Sequence, residues 1–237
     1  MKHWKTKNGT IITQVLWGRS NAYLLSTNQL NILVDTGKTP AFQKLLYNIR
    51  QLVPANQKID YLILTHTHFD HCQNAFQIQN EEKCTVILGK EEYVGASEGY
   101  TPIPNGSFAV TKLIVRIGKQ LGAKHFGFTP FIADIQVDEK LDLIEKDLAI
   151  RLLKTDGHSS GSISVIVDNE IALVGDVLFG VFRNSVMPPY SDDIPTMIKS
   201  WGKLLETDCK FFLPGHGKAI TRELLQKEYD HYRKKLI

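Results

Sequence analysis

No run of about eighteen apolar residues occurs in this sequence, so no membrane-spanning helix is expected. The amino-terminal stretch MKHWKTKNGTIITQ lacks an apolar core segment, which argues against a secretory leader. Cysteine is scarce. Cys72, Cys84 and Cys209 are odd in number and far apart, which is no disulfide framework and fits reduced thiols in a cytoplasmic protein. Charge of one sign is not in large excess either. A formal net charge of +3 gives no reason to expect nucleic acid or an anionic membrane as partner, since such proteins show a clustered basic face. The basic YRKKLI near the carboxyl end reads as the end of an amphipathic helix, where cations suit the helix dipole.

What is present suffices for a sizeable core. With 237 residues, 43% hydrophobic and 22% charged, one globular domain over 1–237 is the economical reading, and no internal repeat, low-complexity segment or linker interrupts it. GTIITQVLW, NAYLLST and NILVDTG carry strand signals bounded by Gly, Asn and Ser. In TPAFQKLLYNIRQLV the apolar period changes to three and four, which predicts a helix with Thr39 as its cap and Pro40 in its first turn. KIDYLILTH and CTVILG read as buried strands around a short helix in NAFQIQN. This alternation favours stacked α and β layers over a helical bundle. Residues 91–130 read as an inserted loop–helix–loop, with VTKLIVRIGKQL as the helix between GASEGYTPIPNGSF and GAKHFGFTP. Strands return in FIADIQV, LAIRLLKT, SISVIVD and EIALVGD, and a helix over 194–206 precedes KFFLPGHG and a last helix.

Three of the eight histidines fall in T65-H66-T67-H68-F69-D70-H71, straight after the apolar YLIL. If the chain is extended there, His66 and His68 point the same way. Asp70 and His71 then follow a turn and can face a second point nearby. One strand end could therefore supply half of the ligands for two metals; chance polar residues closing a strand are the plainer alternative. Other strand ends offer matching residues: His158 in TDGHSSGS, Asp176 after IALVG, and His216 in FFLPGHG. Small residues in these loops permit close backbone approach. Singly each is weak; four such strand ends in one chain are hard to ascribe to chance.

The ordered set THTHFDH, DGHSSGS, VGD and PGHG resembles the metallo-β-lactamase superfamily of metal-dependent hydrolases, over about residues 10–220. The resemblance implies an α/β fold, an αββα four-layer sandwich of two mixed β-sheets with helices outside. It also implies a dinuclear site in which His66, His68 and His158 hold one metal, Asp70, His71 and His216 the other, and Asp176 bridges both. Asp35 in LVDTG matches a position near such a site and is a candidate to orient a ligand. Imidazole and carboxylate donors without thiolate suit two divalent ions, zinc first, with iron or manganese as alternatives. Two such ions can share a hydroxide that attacks the substrate, with Asp70 aiming it as the catalytic carboxylate.

Departures from the pattern narrow the expected activity. His68 stands where the di-iron oxygen-reducing branch resembles HxExD, and Asp176 where the cysteine-bearing β-lactamases have Cys. A long second domain of the kind found in nucleic-acid-cutting branches has no room. The chain stops one helix after PGHG and reads DHCQN where many relatives have glycines, so a glutathione thioester is doubtful. The expectation is a hydrolase of an ester-type bond, thioester or lactone, in a small-molecule substrate, resembling the glyoxalase II-like and lactonase branches. A phosphodiesterase on the same site is the alternative, a catalytically silent metal-binding module the reading from another class, and a nuclease the last. Tyr190 is a candidate to polarise a carbonyl oxygen, and Arg183 or Lys218 to receive a carboxylate. A homo-oligomer is left open, and His3, His125 and His231 receive no role.

Overall fold

A computed structural model describes residues 1–120, 126–145 and 148–235. The first sheet takes β1 (His3–Lys5), β2 (Ile11–Leu16), β3 (Ala22–Ser26), β4 (Asn31–Val34), β5 (Tyr61–Ile63), β6 (Thr85–Gly89) and β7 (Ile135–Val137), neighbours in space in chain order. β1 to β4 pair antiparallel and β4 to β7 parallel. Parallel neighbours need a crossover, which is where the helices come from. α1 (Phe42–Arg50) joins β4 to β5, and α2 (Phe69–Cys72) with α3 (Ala75–Glu82) joins β5 to β6. α4 (Tyr93–Glu98) and α5 (Ala109–Gln120) lie between β6 and β7.

The second sheet takes β8 (Lys140–Glu145), β9 (Leu148–Lys154), β10 (Ile163–Val167), β11 (Ile171–Gly175), β12 (Phe211–Pro214) and β13 (Ile220–Thr221), in the spatial order β13-β12-β11-β10-β9-β8. Only the β11–β12 pair is parallel, with α6 (Ile194–Leu205) as its crossover; α7 (Arg222–Arg233) follows β13. Both sheets are therefore mixed.

Alternation along the strands sorts the apolar residues into three cores. Ile32 and Val34 of β4 face a middle core with Val165 of β10, Leu173 of β11 and Leu213 of β12, while Leu33 faces an outer core with Leu45 and Ile49 of α1. Ile166 and Val174 face the third core, against Met197, Trp201 and Leu204 of α6 and Leu225 of α7. Helix, sheet, sheet, helix is the resulting order, as the sequence resemblance implies. Asp193 caps α6 by accepting from the Thr196 amide at 3.0 Å, and Thr221 accepts from the Leu224 amide at the start of α7.

Four local expectations are corrected. Thr39 does not cap α1: residues Thr39–Ala41 form a 3₁₀ turn with Pro in its first positions, and Ala41 precedes the helix without a side-chain cap. α4 occupies part of the stretch read as Gly/Pro-rich loop, and Gly99 (φ 73°) ends it in the left-handed conformation. β1 and β8 escaped the reading. KLDLIE of β8 is a half-exposed edge strand whose Leu141 and Leu143 pack on the middle core. Within the second loop expected around α5, residues 121–125, including His125, lie outside the described residues.

Candidate metal centre

The chemistry-bearing loops leave the carboxyl ends of β5, β9, β11 and β12, the ends at which α/β sheets place their ligands. β9 and β11 both run antiparallel to β10, and β12 runs parallel to β11, so three of these ends share one edge of the second sheet. The first sheet brings β5 to the same place. After β5 the chain runs through Thr65 to His68, which is extended (φ −64°, ψ 142°), and α2 then turns Asp70 and His71 back.

All seven residues expected as ligands converge. The donor atoms of His66, His68 and His158 lie within 4.8 Å of one another, as do those of Asp70, His71 and His216 and those of His66, His71 and Asp176. His68 Nδ1 is 2.9 Å from His158 Nε2. His216 Nε2 is 3.2 Å from Asp176 Oδ2, 3.4 Å from Asp70 Oδ2 and 3.4 Å from His71 Nε2.

Surrounding hydrogen bonds fix which ring nitrogens face the centre. His158 Nδ1–H donates to the Tyr190 carbonyl at 2.9 Å, leaving Nε2 as the free lone pair. His71 Nδ1–H donates to Asp35 Oδ2 at 2.9 Å. Asp35 also accepts from the Thr65 amide and hydroxyl, and Thr65 Oγ1 sits 3.1 Å from His66 Nδ1. With its hydroxyl proton committed to Asp35, Thr65 can only accept from His66, so His66 Nε2 also turns a lone pair inward. Asp35 thus aims two imidazoles.

Burial and charge set the protonation states. Burial lowers His68 and His158 to about 4 and holds His66 well below the usual histidine value. Burial opposes a charge on His216 too, but Asp176 and Asp70 outweigh it and raise it to about 9. Burial likewise opposes ionisation of Asp70, yet the His216 contact and the charge of His71 bring it down to about 2. His66 Nε2 and Asp176 Oδ1 are buried without a hydrogen-bond partner. A buried polar atom left so is costly, and native proteins leave few of them unexplained. Neutral imidazoles at His66, His68 and His158 and ionised carboxylates around such orphaned atoms are donors that suit a metal, which would displace the protons held on His71 and His216. Cys72, beside the motif, is no nucleophile: burial pushes its thiol well up, and its Sγ–H donates to the Thr67 carbonyl.

Two parts of the centre had no reading in the sequence. Glu92, just before α4, is buried and accepts from the Thr67 amide at 2.9 Å, from the Thr67 hydroxyl, and from the Ser159 hydroxyl at 2.5 Å. It ties the His66–His68 loop to the His158 loop. Asn21, just before β3, clasps the His216 loop: its amide donates to the Gly215 carbonyl, and its side chain to the carbonyls of Pro214 and Gly217. Gly215 itself has no room for a side chain, because a Cβ there would collide with Asp176 Oδ1 and His71 Cε1.

A cavity of about 890 Å³ opens above the cluster. His68, Asp70, His158, Asp176 and His216 form its floor, and Phe69, Ile103, Ile114, Phe126, Phe179 and Pro189 are among its walls. Tyr190 lines it. Arg183 and Lys218 do not; both are exposed, so neither is placed to receive a substrate carboxylate inside.

The metallo-beta-lactamase superfamily model matches residues 15–216, most of the chain. The chain belongs to the metallo-beta-lactamase superfamily. Within that superfamily it is a metal-dependent hydrolase. It is 28% identical over 210 residues to a probable metallo-hydrolase of Methanocaldococcus jannaschii, covering 86% of this chain and 90% of that one. It is 26% identical to a beta-lactamase-like protein 2 homolog of Caenorhabditis elegans, over 91% of this chain but only 62% of the longer relative. An archaeal superfamily member from Sulfolobus tokodaii shares the fold with a TM-score of 0.66 at 19% identity, over 95% of this chain and 86% of that one. Among the described residues, no helix is long and apolar enough to cross a membrane.

Proposed function

We propose that this superfamily member is a dinuclear hydrolase of an ester-type bond, a thioester or a lactone, in a small neutral molecule with an apolar portion. The observation that carries the reading is the cavity. Its walls are apolar, its polar end is the histidine and carboxylate cluster, and no Lys or Arg is among the described residues lining it. A phosphodiester carries an anion that proteins recognise with Arg or Lys. An uncharged acyl group needs no such partner, so the ester reading is preferred to the phosphodiesterase one.

In this reading His66, His68 and His158 would hold one ion, Asp70, His71 and His216 the other, and Asp176 both. Zinc suits the donors best, with iron or manganese as alternatives. When bound, the ions would supply Lewis acidity and bring a water's pKa down to about 7. Asp70 stays ionised at neutral pH and accepts a hydrogen bond from the attacking water, aiming it at the carbonyl carbon. Tyr190, which lines the cavity, would donate its hydroxyl to the carbonyl oxygen. Attack would form a new bond from the water oxygen to the acyl carbon and break that carbon's bond to the thioester sulfur or the lactone ring oxygen. The acyl part leaves as a carboxylate and the departing thiolate or alkoxide takes up a proton from water, while the apolar walls keep other water from the acyl group.

The test is a panel of thioesters, lactones, phosphodiesters and β-lactams, run with zinc- and manganese-loaded protein and with Asp70→Ala. Esters turned over faster than all other classes, and not by Asp70→Ala, is the expected result. Preference for phosphodiesters would overturn the substrate class. Equal rates for protein and variant on every compound would favour a silent metal-binding module.

A further inference from the structure

Helix α5 turns an apolar face away from the protein. Val110, Leu113, Ile114 and Ile117 recur at helical spacing and are 69%, 58%, 53% and 46% exposed, while Thr111 and Val115 on another side of the helix are half-buried. Contiguous exposed apolar surface of this kind marks an interaction site. It borders the mouth of the cavity, whose wall includes Ile114 and Val115. On another lip of the mouth, Val181 and Phe182 are exposed too, and the Phe182 ring lies 5.7 Å from that of Phe179 in the cavity wall.

Helix α5 itself carries cations and no acid. Lys112 and Arg116 are exposed on it, and the sequence from Gly99 to Ala133 contains no acid. Arg183 follows Phe182, and Lys218, exposed, donates its amide to the Gly180 carbonyl at 2.9 Å. Two exposed acids lie beside Tyr190 in sequence: Asp192 accepts from the Asn105 amide and Asp193 caps α6. The small net charge of the whole chain conceals this concentration. The two cations that miss the cavity have their place here, on its rim.

We propose that the rim docks on an anionic lipid surface, with α5 lying in the headgroup layer and the cavity mouth facing the bilayer. An exposed apolar stripe with Lys and Arg and no acids is the composition of a helix that lies in a membrane interface. Anionic headgroups supply the counter-charge. A second copy of the chain fits less well, because a two-fold contact through this face would bring like cations together. The proposal goes beyond the hydrolase reading and does not depend on it.

Vesicle flotation tests it, with metal-loaded protein, vesicles of phosphatidylcholine alone, and vesicles in which phosphatidylglycerol replaces part of it. Binding to the anionic vesicles is expected, weakening at high salt. Leu113→Asp combined with Ile117→Asp should lower that binding about tenfold or more. Both residues are exposed and outside the cavity wall, so circular dichroism and metal content of the variant should match the parent. No binding to anionic vesicles, binding equal to that on neutral ones, or binding unchanged in the double variant would overturn the proposal. So would a dimer in analytical ultracentrifugation that the double variant disperses, which assigns the face to a second copy.

Discussion

Asp35 Oδ2 stands 2.9 Å from His71 Nδ1, on a residue held at φ 60°, in the left-handed region. Few side chains other than Asn and Asp accept that conformation readily. Asp35→Asn should therefore keep the fold, but it loses the charge that stabilises the His71 proton and the acceptor pair that Thr65 uses. Metal affinity should fall about 10–100-fold, the usual effect of losing a ligand-orienting partner. Titration with a chelator-buffered zinc series measures it; unchanged affinity would deny Asp35 its orienting role.

Gly215→Ala alters no donor atom, yet its Cβ would enter the space of Asp176 and His71. The variant should fold and bind markedly less metal than the parent, read by elemental analysis after gel filtration. Full metal content in Gly215→Ala would show that the His216 loop can yield.

Glu92→Gln removes a charge from three hydrogen bonds that tie two ligand loops together. Hydrogen bonds to charged groups contribute about 1.5–3 kcal/mol each, and the amide retains part of them. A loss of about 1–3 kcal/mol in urea unfolding is expected, with metal content retained at high zinc. A loss no larger than that of an exposed substitution would assign Glu92 no tying role.

Metal-free protein should lose stability as pH falls from 6.5 toward 4. His68 and His158 titrate near 4 when folded and near 6.5 when not, so the unfolded chain binds more protons in that window. His216 works in the opposite sense at higher pH: raised to about 9, it adds stability that is complete below 6.5 and lost as pH rises through 9. Denaturant midpoints across pH 4–9 follow both. In His68→Gln the acid-side fall should be shallower, and an unchanged slope would contradict the assignment.

The converging donors were legible in the sequence because they sit at or just after strand ends, where a polar residue against an apolar run is conspicuous. His66, His158, Asp176 and His216 could be read from that contrast alone, and the layer order followed from the alternation of strands and helices. The residues that aim the ligands were harder. Asp35 was found through resemblance, but Thr65, Asn21 and Glu92 are polar residues inside or beside ordinary elements, and what they touch is set by tertiary approach. A signal for Glu92 did exist: it lies three residues after the apolar TVILG, where buried Glu is uncommon without a partner. Arg183 and Lys218 show the converse. Nearness to PGHG or to the Phe-rich loop in sequence did not turn their side chains into the cavity.

One consequence of the two-sheet layout concerns the order of events during synthesis. Every residue of the first sheet precedes every residue of the second, and the convergent donors run from His66 to His216. A nascent chain that has released β1 to β7 presents four of the seven. The remaining three arrive with loops of the later sheet, and the His216 loop is clasped by Asn21, near the start of the chain. The centre is thus a closing stitch between early and late sequence, assembled only after both halves have met.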